Sequence, residues 1–386
     1  MPNAEMNYKQ LIKKILPLSL VKMIKRMREK GPQISYNIGL AAGNQPRVFF
    51  SYVNDFLSKN DLSRTHGTRD VESAAIVSAL VRCGCRVDVA RYDCERGIRT
   101  DYDYVIGQGI AFRNASALNP KAKRILYLTE NPPALSFEKE KERIAYFEER
   151  HHIKTDLSRS GRFFKEEDFE RLEACIFIGN PSDADKINGI KTYTIRPTGI
   201  INPLFNSYMR NFDEAKKRFM WIGSSGAIHK GLDILLDVFS NHPELELYVL
   251  GLNESDRRLL SGMMGNNVTN CGYIRIVGEE FAELVSKCGF VVLPSCSERL
   301  ATSVITGMNH GLIPLVTHET SIEAPVGEVF KTFKVADVEE TLVRWSNKET
   351  AFLKEESEKT LNFARDTYNI PKYSRRITDI FSELIK

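Results

Sequence analysis

Residues 219–251 read FMWIGSSGAIHKGLDILLDVFSNHPELELYVLG, and this stretch decides the fold. The opening run, Phe219-Met220-Trp221-Ile222-Gly223, is short, apolar and closed by glycine, as a strand buried on both faces would be. Small residues follow, then a helical period over 231–240 and a second apolar run at 245–250 (LELYVL). Strand, turn, helix, strand makes a βαβ unit, whose strands lie parallel in one sheet.

The same rhythm extends in both directions. Downstream come a helix over 278–287, a strand at 289–293 (GFVVL), a helix over 302–310 and a strand at 312–316 (LIPLV). Upstream, strands are expected at 47–53, 86–90, 103–107, 124–129, 174–179 and 192–196, with a helix over 70–82. The sequence thus predicts an α/β protein of two Rossmann-like, doubly wound domains, since 386 residues exceed what one core usually supports. The expected divisions are a basic amphipathic segment at 1–45, a first domain at 46–200, a second at 201–350 and C-terminal helices at 351–386. Residues 197–211 hold two prolines and no clear period, the composition of a hinge. The helical pattern after 349 breaks at Pro371.

Composition narrows the function. A chain 42% hydrophobic and 27% charged is an ordinary globular one, and a net charge of +4 is too mild for nucleic-acid binding. Basic residues concentrate in 8–30, where Lys9, Lys13, Lys14, Lys22, Lys25, Arg26, Arg28 and Lys30 alternate with leucines and isoleucines. Such a segment suits peripheral contact with an anionic membrane or docking on the protein itself. It is no secretory signal, because Lys13, Lys14 and Pro17 interrupt its apolar part, and no run reaches the ~18 apolar residues of a membrane span. Seven cysteines without a C-x-x-C pair indicate neither a disulfide framework nor a zinc site. The expected location is the cytoplasm, at the inner face of the membrane if 8–30 engages it. No metal or cofactor is expected.

Open parallel sheets bind ligands at the carboxyl ends of their strands, so the loops after the strands carry the candidate residues. After 219–223 stand Gly223, Ser224, Ser225 and Gly226, then Lys230 at a helix entrance, an arrangement for an anion or a plain strand–helix connector. After 289–293 comes PSCSERLATS, in which Glu298 is either a sugar-hydroxyl acceptor or a helix-start acid. The amides of Leu300, Ala301, Thr302 and Ser303 at the next helix start are candidates for holding phosphate. In the first domain, Gly67 and Thr68 precede a helix and suit an anion, His66 is a possible sugar contact, and Glu130 with Asn131 follows a strand into the cleft. Residues 138–171 are rich in Arg143, Arg150, His151, Lys154, Arg159 and Arg162, either cations for a phosphorylated acceptor or a solvated face.

Residues 219–251 and 289–316 resemble the donor-binding domain of the retaining group 1, or family 4, glycosyltransferases, and 194–205 (TIRPTGIINPLF) resembles the turn between their domains. The resemblance implies the GT-B fold, two domains facing a central cleft, with C-terminal helices crossing back to the first domain. It also implies metal-free transfer with retention from a nucleotide diphosphate sugar to an acceptor, here a cell-surface glycan or lipid-linked intermediate of bacterial type. By the same resemblance Lys230 contacts the donor diphosphate and Glu298 the donor sugar. Two family features are missing. Thr306 stands where the second glutamate of a Glu-x7-Glu pair binds ribose, and Ser224 or Ser225 stands where an arginine is usual. Arg299 either compensates or faces solvent. The departures leave two alternatives, a nucleotide-sugar epimerase of the same fold and a non-catalytic homologue serving as a partner subunit.

Overall fold

The computed structural model describes residues 34–39, 45–54, 57, 67–181, 187, 189–207 and 210–385, so the basic segment 8–30 and His66 lie outside the described residues. The first domain comprises β1 (Ile34–Ile38), β2 (Arg47–Tyr52), α1 (Thr68–Arg82), β3 (Arg86–Arg91), β4 (Tyr104–Gly107), α2 (Gly109–Leu118), β5 (Lys123–Leu128), α3 (Pro133–His151), β6 (Ala174–Ile178) and β7 (Thr192–Ile195). Its strands run in the order β1-β3-β2-β4-β5-β6-β7. All neighbours are parallel except β1, which lies antiparallel on β3 at the edge. This edge strand falls inside the stretch 1–45, which was expected to hold only the basic segment.

The second domain comprises α4 (Phe212–Ala215), β8 (Arg218–Ile222), α5 (Leu232–Asn241), β9 (Glu246–Leu250), α6 (Glu254–Leu260), β10 (Val268–Gly272), α7 (Glu279–Lys287), β11 (Phe290–Leu293), α8 (Thr302–Met308), β12 (Ile313–Val316), β13 (Glu328–Val329) and α9 (Val335–Ser346). Its sheet, β10-β9-β8-β11-β12-β13, is parallel throughout. In each sheet the chain adds strands on one side and then crosses to the other. The reversals fall between β2 and β4 and between β8 and β11, the crevices where open α/β sheets bind ligands.

Aromatic packing fixes the second reversal. Phe219 of β8 stacks on Phe290 of β11, with centroids 4.8 Å apart, and meets Phe239 of α5 edge-on at 5.5 Å. The fully buried indole of Trp221 donates its N–H to the Lys230 carbonyl at 3.3 Å, tying the loop after β8 to the core. Gly223 is obligatory beside it, because a Cβ there would lie 2.0 Å from the Trp221 ring.

The chain ends by returning to the first domain. After α10 (Thr350–Thr367), α11 (Ile370–Leu384) packs along α1 and β7. Arg82 donates to the Thr378 hydroxyl at 2.7 Å, the hydroxyls of Tyr127 and Tyr373 meet at 2.9 Å, and Lys191 and Tyr193 both donate to Glu383 at 2.6 Å. Pro371 sits in the first turn of α11, where a missing N–H costs nothing, and the Asn369 side chain caps the Lys372 amide at 2.9 Å. The connection between domains is bonded to both. The Thr198 amide and hydroxyl donate to Glu72 of α1, and the Asn202 amide donates to His310 Nε2 at 2.9 Å. Burial pushes His310 down to about 4, so its ring is neutral and accepts that bond. Among the described residues no helix is long and apolar enough to cross a membrane.

Candidate functional site

The loops at the two reversals face each other across a cavity of about 590 Å³. From the second domain Gly223, Ser224, Ser225, Lys230, Glu298, Arg299, Ala301, Thr302 and Ser303 line it, as do Thr68, Arg69, Glu72, Gln108, Glu130, Arg159 and Arg162 from the first.

Lys230 and Glu298, 68 residues apart in sequence, form an ion pair at the centre, each largely buried. Ser295 Oγ also donates to Glu298 Oε1, at 3.4 Å. Burial alone would push the Glu298 carboxyl up, but Lys230, Arg159 and His229 beside it hold it down at about 2. Burial pulls Lys230 below its ordinary value, while the Glu298 charge opposes that shift. A carboxylate and an ammonium therefore share the cavity, and an ammonium bonded once to Glu298 retains further donor protons for an anion.

The glycine-rich loop works differently from the sequence expectation. An open phosphate cradle needs unbonded amides, but those of Gly226 and Ala227 donate to the Asp256 carboxylate at 2.9 and 3.3 Å. Those of Lys230, Gly231 and Leu232 donate to carbonyls within the loop. Gly226 thus serves the loop's own geometry, and what the loop offers an anion is Lys230 and the serines. At α8 the Ala301 amide is spent on the Thr320 carbonyl and Leu300 is fully buried. Thr302 and Ser303, in the uncapped first turn, present the amides that remain.

Thr306 does not reach the cavity. One helical turn beyond Thr302, it is buried and accepts from the Ile200 amide of the interdomain connection at 3.4 Å. Arg299 faces the first domain rather than solvent, its guanidinium 4.3 Å from the Phe177 ring centre. Gly67 is the N-cap of α1, and Thr68 and Arg69 at that helix start reach the cavity. Glu130 also lines it and accepts from Arg159 at 2.6 Å. Asn131 bridges the domains, donating to the Ser297 hydroxyl at 2.8 Å and the Glu298 carbonyl at 3.2 Å.

A second cross-domain pair lies behind the site. Glu140 of α3 stands 3.5 Å from His229 Nδ1, and both are almost fully buried. Burial lowers the imidazole's affinity for a proton, the Cys296 sulfur and the Glu140 carboxylate raise it, and the result is about 9. Despite its burial, Glu140 is held well below the usual carboxylate range by His229 and Ser160. The raised imidazole contributes stability fully below pH 6.5 and loses it as pH rises through about 9; the depressed carboxyl loses its share only in acid. We expect the melting temperature to fall between pH 6.5 and 9.5, and His229→Gln to remove that part of the slope. A wild-type and variant pair with parallel pH profiles would show the imidazole to be neutral.

Sequence reasoning missed Asp256, Glu140, His229 and Glu72. The last is the one charged residue in the run 71–80 of α1, among apolar and small residues, which was a readable signal. Burial pushes its carboxyl up to about 7 against the bonds from Thr198. Among the described residues no three His, Cys, Asp or Glu side chains gather as a metal site would require.

The domain that carries Lys230 and Glu298 matches a known family. Residues 216–344, which supply Lys230, Glu298 and α8, match the model of glycosyl transferases group 1. The chain carries a group 1 glycosyl transferase domain. Its two-domain architecture is the GT-B fold. Sucrose-phosphate synthase from Thermosynechococcus elongatus is similar at TM-score 0.62 and 13% identity, over 88% of this chain and 99% of that one. HepE from Anabaena, solved with UDP and glucose, is similar at TM-score 0.57 and 12% identity, over 88% and 100%. TarM from S. aureus is similar at TM-score 0.52 and 13% identity; 72% of this chain is covered, but only 55% of TarM. No curated protein sequence matches the chain. The group 1 domain therefore contributes Lys230 and Glu298, and the first domain brings cations to the same cavity.

Proposed function

We propose that the protein transfers a sugar from a nucleotide diphosphate sugar to an acceptor, a glycan or lipid-linked intermediate, with retention at the anomeric carbon and without a metal. The observation that carries this reading is the Lys230–Glu298 pair at the strand-order reversal of the group 1 domain, opposite the first domain's cleft face. Lys230 and the amides of Thr302 and Ser303 stabilise the negative charge that grows on the diphosphate as the sugar C1–O bond breaks. Glu298, kept ionised, accepts hydrogen bonds from sugar hydroxyls and sets the donor's orientation. Fixed charges aimed at the leaving group in a dry cleft supply most of the rate enhancement in such a scheme, and it needs no paired carboxylic acids of the glycosidase kind.

The acceptor then enters from the first domain, beside Thr68, Arg69 and Glu130. Residues 8–30 bring the protein to an anionic membrane where that acceptor lies, on the cytoplasmic side. Because Thr306 is turned into the interdomain connection, the nucleotide ribose is read by other groups of the cavity wall. A thermal-shift screen of UDP, GDP, ADP and their sugars tests the reading. One nucleoside series should raise the melting temperature by several degrees at saturating ligand, with the diphosphates ahead of the free sugars. No shift with any member would favour the non-catalytic alternative, and free epimerised sugar in the absence of acceptor would favour the epimerase.

A further inference from the structure

Two arginines of the first domain stand over the glycine-rich loop of the second. They come from the turn 158–162 (SRSGR), which the Glu140 carboxylate holds by accepting from the Ser158 amide and hydroxyl at 2.9 Å, the Arg159 amide at 3.1 Å and the Ser160 amide at 2.7 Å. The stem of Arg159 lies on Gly226, where a Cβ would fall 2.8 Å from its Cγ and Cδ. The guanidinium of Arg159 bonds Glu130 and stands near enough to Glu298 and Lys230 to shift both. Arg162 reaches further and donates to the Ser225 hydroxyl at 3.1 Å. The loop's small neutral residues are thus covered by guanidinium groups supplied from across the cleft.

We propose that Arg159 and Arg162 form the first domain's half of a clamp on the donor diphosphate. The inference rests on the reading of the cavity as a nucleotide-sugar site. Five cationic side chains line the cavity against three carboxyls, a balance that favours a multiply charged anion. Guanidinium forks match phosphate oxygens bidentately, and the two arginines line the same cavity as Lys230 and the start of α8. With Lys230 and α8 on one domain and the arginines on the other, the diphosphate becomes a bridge. A nucleoside monophosphate carries one phosphoryl group fewer and reaches only part of it.

The test is calorimetric titration of the full chain with UDP, GDP and ADP and with the matching monophosphates. For the nucleoside that binds, Arg162→Ala is expected to weaken diphosphate binding roughly 10-fold, and Arg159→Ala/Arg162→Ala roughly 100-fold, from the loss of one and two charge-assisted bonds. Monophosphate affinity should change less than about 3-fold, so the diphosphate preference collapses; a structural role for the arginines would leave that ratio intact. Arg162 is exposed, so its substitution leaves the ligand-free protein folded. If Arg162→Ala and the double variant keep the wild-type preference while Lys230→Ala loses diphosphate binding, the clamp is wrong and the donor site stands. If the wild type binds none of the diphosphates, both fall.

Discussion

Lys230→Ala is expected to lower turnover of the nucleotide sugar at least ~100-fold, the typical cost of removing one preorganised group that stabilises developing charge. The loss should fall mainly on kcat, because the charge on the diphosphate grows as the bond to the sugar breaks. Stability should suffer as well. Without Lys230 the buried Glu298 carboxylate loses the partner that does most to hold it at about 2, and breaking a buried pair costs up to ~3–5 kcal/mol. Arg159 and His229 remain beside it, so the smaller end of that range is expected, and adding Glu298→Gln should return part of it. Steady-state kinetics and urea unfolding of the two variants check both halves. A Lys230→Ala enzyme within about 10-fold of wild type would remove Lys230 from the role of leaving-group cation.

Glu140→Ala should be the most damaging change outside the cavity. Glu140 is 1% exposed and accepts from three amides and a hydroxyl of the turn 158–160 while facing the His229 ring. Its removal strands those donors and leaves a cationic imidazole buried without its carboxylate, at an expected cost of ~3–5 kcal/mol. The pH dependence assigned to His229 should weaken with it, because the imidazole loses one of the groups that favour its proton while Cys296 and Glu298 remain. Glu140→Gln keeps acceptor oxygen but not charge and should fall between the two. Equal stability of Glu140→Ala and wild type across pH 6.5 to 9.5 would mean that the turn is held by something else.

Most strands were legible because a parallel strand covered by helices on both faces is a continuous apolar run. RVFFSY, ACIFI and FVVL are all of this kind, and all are fully or almost fully buried. The strands that escaped are edges. β1 and β10 are half-exposed and carry asparagine, and β13 is two residues long, so neither hydrophobicity nor period marks them.

The site divides on similar lines. Lys230 and Glu298 could be read because each follows a buried strand at a point fixed by the topology. Their partners could not, because no local pattern tells which distant segment will face them. The charges of 138–171 look like a solvated face. In α3, however, Glu140 and Arg143 turn inward, with Arg143 fully buried against the Phe333 ring at 4.5 Å. Arg150 pairs with Asp233 and Asp237 of α5. Part of that helix's charge faces the other domain, and the rest, Glu138, Lys141, Glu142 and Glu149, is exposed. Asp256 gave no signal at all, since closing the glycine-rich loop requires only one carboxylate in the right place, and nothing near residue 256 records that need.

The account stands on where the donor diphosphate sits. The most direct test is a crystal structure of the protein with the nucleoside diphosphate that gives the largest thermal shift. Phosphate oxygens within ~3 Å of Lys230 Nζ and of the Thr302 and Ser303 amides, hydrogen-bond distances, are the expected result. A diphosphate bound elsewhere in the cleft, with the Lys230–Glu298 pair untouched, would contradict it.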